Sequence, residues 1–84
     1  MPRLAVSANE ERNKVLVSTI KYNQSLYDVS DEALAKLLNI SRSTLMKRFD
    51  DPSLFSFGDL WQMNRVLYFT QRQFLGIAQG KNLF

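Results

Sequence analysis

Apolar residues recur at helical spacing along most of this chain, and Ser, Thr, Asp and Asn interrupt the pattern at intervals. Ser7 and Glu10 have the spacing of a capping box, in which the serine oxygen accepts an amide proton and the carboxylate bonds back. Because apolar positions three and four apart share one helix face, the pattern predicts a first helix over about residues 8–26. Its inward face is expected to carry Leu16, Ile20, Asn23 and Tyr27, bordered by Val15 and Thr19.

Two short helices are predicted next, each opened by a serine. Ser30 is a suitable N-cap for a second helix that ends near Leu38. Ser41 caps a third helix over about residues 42–49. Asn39 lies in the turn between them, where asparagine is the best substitute for glycine in the left-handed conformation of a helix end.

Two further capping boxes open the last two predicted helices. Ser56 precedes Asp59, and Thr70 precedes Gln73, by three residues in both cases. Gly80 is placed to end the fifth helix after residue 79. No alternating strand pattern competes, so we predict an all-α chain of five helices that forms one domain. The expected inward positions are Leu60, Met63 and Leu67 on the fourth helix and Phe74, Ile77 and Ala78 on the fifth.

Composition narrows the possible chemistry. The chain has no cysteine and no histidine, which removes disulfides, thiolate ligands and the commonest general base. The acidic residues have ordinary capping roles, so we expect neither an enzyme nor a metal or other cofactor. No apolar run approaches the roughly 18 residues of a membrane span, and we expect a cytoplasmic protein. The net charge of +3 is compatible with an anionic partner.

The segment SDEALAKLLNISRSTLMKRF, residues 30–49, has the features of two helices that cross steeply. Ala35 is small enough for a close crossing, and Ile40 and Leu45 can fill the angle between the helices. This stretch resembles the helix-turn-helix of the phage-repressor and Cro family, the lambda-repressor-like DNA-binding fold. The residues that carry the resemblance are Leu34, Ala35, Leu38, Ile40, Ser41 and Leu45, and a looser likeness extends over residues 7–80.

Two positions depart from that family's pattern. Asn39 stands where the family usually has glycine, and asparagine tolerates the same backbone conformation. Arg48 stands where an apolar residue is usual, and Phe49 is expected to take over its packing.

The resemblance implies that the third helix lies in the major groove of double-stranded DNA. On its outward side Arg42 can form a bidentate pair with guanine, Met46 can contact a thymine methyl, and Lys47 can reach a base edge or phosphate. The residues expected to read bases are Ser41, Arg42, Ser43, Met46 and Lys47. Those expected to contact the DNA backbone are Ser30, Thr44 and Arg48.

The expected function is therefore a sequence-specific transcriptional regulator of the Cro or repressor kind, from a phage or prophage. Asp50 and Asp51 follow the third helix, where they can bond locally or weaken non-specific DNA binding by repulsion. The alternative is a protein-binding adaptor or antirepressor with the same fold, which an exposed Trp61 would favour.

Apolar residues beyond the needs of one core also predict a weak homodimer. Proteins of the resembled family commonly pair across a two-fold axis, with half-sites about one helical turn apart. The alternative is that the last residues fold back on their own core or fray. The expected dimer interface is Trp61, Leu75, Leu83 and Phe84.

Overall fold

The computed structural model describes the backbone of residues 6–81 and the side chains from residue 10 onward. Over residues 6–81 it contains helices and no strand, so the all-α prediction is confirmed. The five α-helices and one 3₁₀ turn are α1 (Val6–Tyr27), α2 (Asp31–Leu37), α3 (Arg42–Asp50), the turn (Pro52–Leu54), α4 (Phe57–Leu67) and α5 (Gln71–Gln79).

Four of the helices begin at the predicted cap. At each, a hydroxyl oxygen on an extended-backbone residue accepts a hydrogen bond from the amide three residues later. The helix α1 begins at Val6, so Ser7 lies inside the helix and not at its N-cap; its side chain lies outside the described part. The four caps are Ser30, Ser41, Ser56 and Thr70, and the last two form full capping boxes with Asp59 and Gln73.

Left-handed residues end four of the helices, and the one after α4 is Tyr68 with φ of 48°. Asn39 has φ of 59° and Gly80 has φ of 70°, as the sequence predicts, and Asp28 has φ of 57°. After Asn39 the chain closes back on α2, because the Ile40 amide donates to the Ala35 carbonyl at 3.0 Å. The turn between α2 and α3 is therefore fixed by backbone hydrogen bonds.

The core lies where α1, α2, α3 and α4 meet. Ala35 is buried between neighbouring large side chains, on the face of α2 that packs against α3 and α4. Two inward assignments are wrong: Tyr27 is exposed and its ring packs edge-on against Tyr68, and Ala78 is exposed on α5. The fully buried apolar side chains are Ile20, Leu34, Leu45, Met63 and Leu67.

A buried pair of amide side chains joins α1 to α5. Asn23 donates to Gln73 Oε1 at 2.9 Å and accepts from Gln73 Nε2 at 2.7 Å. Asn23 also donates to the Leu67 carbonyl at 2.9 Å, and Gln73 Oε1 accepts from the Thr70 amide at 2.8 Å. Within the described residues no buried side-chain nitrogen or oxygen lacks a partner, so this pair carries no unmet polar group.

The start of α2 is tied to α1 by Gln24. Its Nε2 donates to the Val29 carbonyl at 3.1 Å and to Asp31 Oδ1 at 3.0 Å. These two bonds fix the angle at which α2 leaves α1. None of the helices between residues 6 and 81 is long and apolar enough to cross a membrane.

We predict that Ala35→Leu lowers the free energy of unfolding by about 1–3 kcal/mol, because a larger side chain overpacks the buried face of α2. Ala33→Leu is the matched control, since Ala33 is exposed on the same helix. Urea unfolding of both variants measures the difference. Equal stability of Ala35→Leu and the wild type would contradict this packing.

Candidate nucleic-acid interface

The helix α3 has one buried and one exposed side. Leu45 is fully buried, and the half-buried Phe49 packs with its ring centroid 6.1 Å from that of Phe55. Phe49 thus takes the packing role that the sequence assigned to it. Ser43 and Lys47 lie four residues apart on the opposite side, and both are exposed.

Three hydroxyl groups cluster at the start of α3. The Ser41 hydroxyl accepts from the Thr44 amide at 3.1 Å and donates to Thr44 Oγ1 at 2.9 Å. Ser43 Oγ lies 3.1 Å from Ser41 Oγ. The Ser41 hydroxyl is therefore committed to capping, whereas Ser43 is exposed and its hydroxyl makes one hydrogen bond, to Ser41.

Arg42 is the first residue of α3 and extends into solvent. Its Nε lies 3.4 Å from Oε2 of Glu32, and the two side chains are 61% and 69% exposed. An ion pair this exposed contributes little to stability. The guanidinium is therefore available to a partner that approaches the start of α3.

Met46 does not belong to the exposed side. It is half-buried and packs against the core, contrary to the prediction that it faces outward with Arg42. The reason is that α3 packs both against α2 and against the 3₁₀ turn Pro52–Leu54. Its apolar stripe is consequently wider than the spacing of Leu45 and Phe49 indicated.

Arg48 also points inward, toward α4. Its Nη1 donates to Asp59 Oδ2 at 2.9 Å, and both side chains are only about one-fifth exposed, at 22% and 21%. The guanidinium carbon lies 6.0 Å from the Phe55 ring centroid. Asp59 Oδ2 also accepts from the Ser56 amide in the capping box of α4. Arg48 is therefore not exposed as expected of a contact to the DNA backbone, because its charge joins α3 to α4.

The charges near the two ends of α3 are mixed. Asp50 and Asp51 are both exposed at its C-terminal end, and Asp51 Oδ1 accepts from the Ser53 hydroxyl at 2.6 Å. Lys21 of α1 lies with its Nζ 4.1 Å from the Phe49 ring centroid. At the start of α2, Ser30 is exposed and its hydroxyl accepts from the Ala33 amide, so it has the capping role expected of it.

Large apolar side chains are also exposed on α4 and on α5. Phe57 and Trp61, four residues apart, are 78% and 71% exposed, and Leu75 is 50% exposed. We call these three residues the α4–α5 apolar surface. Phe57 was not predicted from the sequence, since its position in the first turn of α4 carries no signal of exposure. Leu83 and Phe84 lie outside the described residues.

Other chemistry finds no site in the part of the chain that is described. Among residues 10–81 no group of three or more carboxylates, histidines or cysteines is placed to hold a metal ion. Comparison with protein-family models, with curated proteins and with solved structures finds no match to this chain. The function must therefore be inferred from the residues and their geometry.

We predict that Arg48→Met lowers the free energy of unfolding by about 1.5–3 kcal/mol, because Asp59 then keeps a largely buried carboxylate without its charged partner. Lys47→Met, one position earlier and exposed, is the control and should unfold like the wild type. Thermal unfolding of both variants followed by circular dichroism gives the comparison. If the two variants were equally stable, Arg48 would not be held as described.

Proposed function

We propose that this chain is a sequence-specific regulator that binds double-stranded DNA and reads the major groove with α3. In this proposal α2, α3 and the turn between them, which contains Asn39, form a helix-turn-helix of the lambda-repressor-like kind. The protein is then a cytoplasmic regulator of the Cro or repressor type, from a phage or prophage. The resemblance of residues 30–49 to that family motivates the proposal.

One observation carries the proposal: the turn after α2 is closed and places the start of α3 in solvent. Asn39 is left-handed, the Ile40 amide bonds to the Ala35 carbonyl, and Ala35 and Leu45 are buried. With its inner side fixed in this way, α3 presents Arg42, Ser43 and Lys47 to solvent. A rigid helix with a polar outer face is what insertion into the major groove requires.

The exposed side chains have distinct proposed roles. Arg42 donates two hydrogen bonds to guanine O6 and N7, and Ser43 bonds to an adjacent base edge. Lys47 reaches a base edge or a phosphate one turn further along. Ser30 and Thr44 approach the DNA backbone, where their hydroxyls can bond to phosphate oxygens.

The balance of charge predicts selective rather than strong binding. Glu32, Asp50 and Asp51 lie near the ends of α3, and the whole chain carries a net charge of only +3. Few phosphates can then be neutralised, so non-specific affinity should be low.

A selection of bound sequences from a random pool of duplexes, repeated at rising salt, tests the proposal. A shared motif should be enriched, and affinity should fall with rising salt along a shallow slope, because few phosphates are neutralised. No enrichment at any salt would refute the proposal.

We predict that Arg42→Ala weakens binding to the best duplex by about 1–3 kcal/mol and relaxes the preference at one base pair. Arg72→Ala is the matched control, because it removes one exposed arginine from α5. Fluorescence anisotropy on the selected duplex and on single-base-pair variants measures both effects. Unchanged affinity and preference in Arg42→Ala would remove Arg42 from the base-reading set.

The α4–α5 apolar surface favours a homodimer, which we propose forms weakly in solution and more strongly on DNA with two half-sites. Phe57 and Trp61 share one face of α4, and exposed apolar patches mark interaction surfaces. Trp61→Gln should shift sedimentation at high concentration toward monomer, and Leu26→Gln, an exposed apolar residue on α1, should not. A wild type that stays monomeric and occupies one half-site would exclude the dimer.

The same surface supports the second candidate function, a protein-binding adaptor or antirepressor, should the chain bind no duplex.

A further inference from the structure

The contact between Glu32 and Arg42 joins the starts of α2 and α3. Glu32 is the second residue of α2 and Arg42 is the first of α3, so the contact spans the turn between the two helices. Glu32 Oε2 lies 3.4 Å from Arg42 Nε. Apart from its contact with Arg42, Glu32 contributes only negative charge near α3.

The contact with Glu32 uses one guanidinium nitrogen of Arg42 and leaves the other two available. An arginine guanidinium has five N–H donors in a planar fork, and the contact with Glu32 is made through Nε. The two terminal nitrogens then form the opposite edge of the fork. That edge carries the parallel donors that match guanine O6 and N7.

We propose that Glu32 is a positioning residue for base recognition, which holds the Arg42 guanidinium so that its two terminal nitrogens face one guanine. The inference rests on the proposed DNA-binding function. The Arg42 side chain loses rotamer entropy when it pairs with a base. Because Glu32 already restricts the Arg42 rotamers in the free protein, less entropy is lost when Arg42 pairs with guanine.

A carboxylate in this place also has a cost. It repels phosphate oxygens whatever the base sequence, so it lowers affinity for every duplex. In this proposal Glu32 therefore lowers the affinity for all DNA and raises the preference for the correct base pair. Removing it should tighten or preserve binding to unrelated DNA while it weakens the preference for guanine at the base pair that Arg42 reads.

The test compares Glu32→Ala, Glu32→Gln, Arg42→Ala and the double variant, with Glu11→Ala as the control. Glu11 is exposed on α1, and its loss changes the net charge equally. Dissociation constants are measured on the selected duplex, on the duplex that lacks the guanine read by Arg42, and on an unrelated duplex. Glu32→Ala should lower the guanine preference by about 1.5-fold to fivefold, the range of a surface ion pair.

Two further comparisons separate positioning from repulsion. In the Arg42→Ala background, Glu32→Ala should leave the base preference unchanged, since nothing remains to be positioned. Glu32→Gln keeps an acceptor and should retain part of the preference. In the free protein, the heteronuclear NOE of the Arg42 Nε–H should fall in Glu32→Ala because the side chain becomes more mobile.

The outcomes distinguish this inference from the proposed function. If the wild type shows no base preference on any duplex, both are overturned. If the wild type is selective and Glu32→Ala changes affinity equally on all three duplexes, or leaves the Nε–H mobility unaltered, the positioning role alone is overturned. An unchanged preference in Arg42→Ala likewise overturns the positioning role while DNA binding stands.

Discussion

The close packing of α2 against α3 is the constraint on which the outer surface of this protein depends. The small side chain of Ala35 allows α2 and α3 to approach closely, and Leu45 packs in the same buried cluster. Asn39 ends α2 in the left-handed conformation, and the Ile40 amide donates a hydrogen bond to the Ala35 carbonyl. Once these four residues are placed, the rotation of α3 is fixed. The residues that α3 presents to solvent follow from that rotation.

The rest of the fold holds this pair of helices in one orientation. The Asn23–Gln73 amide pair joins α1 to α5, and Gln24 bonds to Asp31 at the start of α2. A buried amide pair gains little net free energy over an apolar pair, but its geometry is specific, and a misplaced helix would leave both amides unpaired. On the far side of α3, Arg48 bonds to Asp59 at the start of α4. The frame is thus held by directional contacts around an apolar centre.

Local rules were enough to predict most of the fold, because caps, turns and helical periodicity are encoded within a few residues. Asn39 is left-handed as expected, and four caps were located correctly. The sequence could not show that Met46 and Arg48 turn inward, because their partners belong to other segments of the chain. The inward position of Gln73 had a signal: the third position of a capping box points back toward the helix start, and there it meets α1. Part of the candidate interface was predictable by spacing, whereas the contact that Glu32 makes across the turn was not.

In the proposed complex, the start and outer side of α3 contact DNA. The most direct test is a titration of isotope-labelled protein with its selected duplex, followed through the backbone amide NMR spectrum. We predict that the largest changes fall on Ser41, Arg42, Ser43 and Lys47, with small changes at Trp61 unless the protein pairs on DNA. Changes confined to the α4–α5 apolar surface, or an unchanged spectrum at low salt, would contradict it.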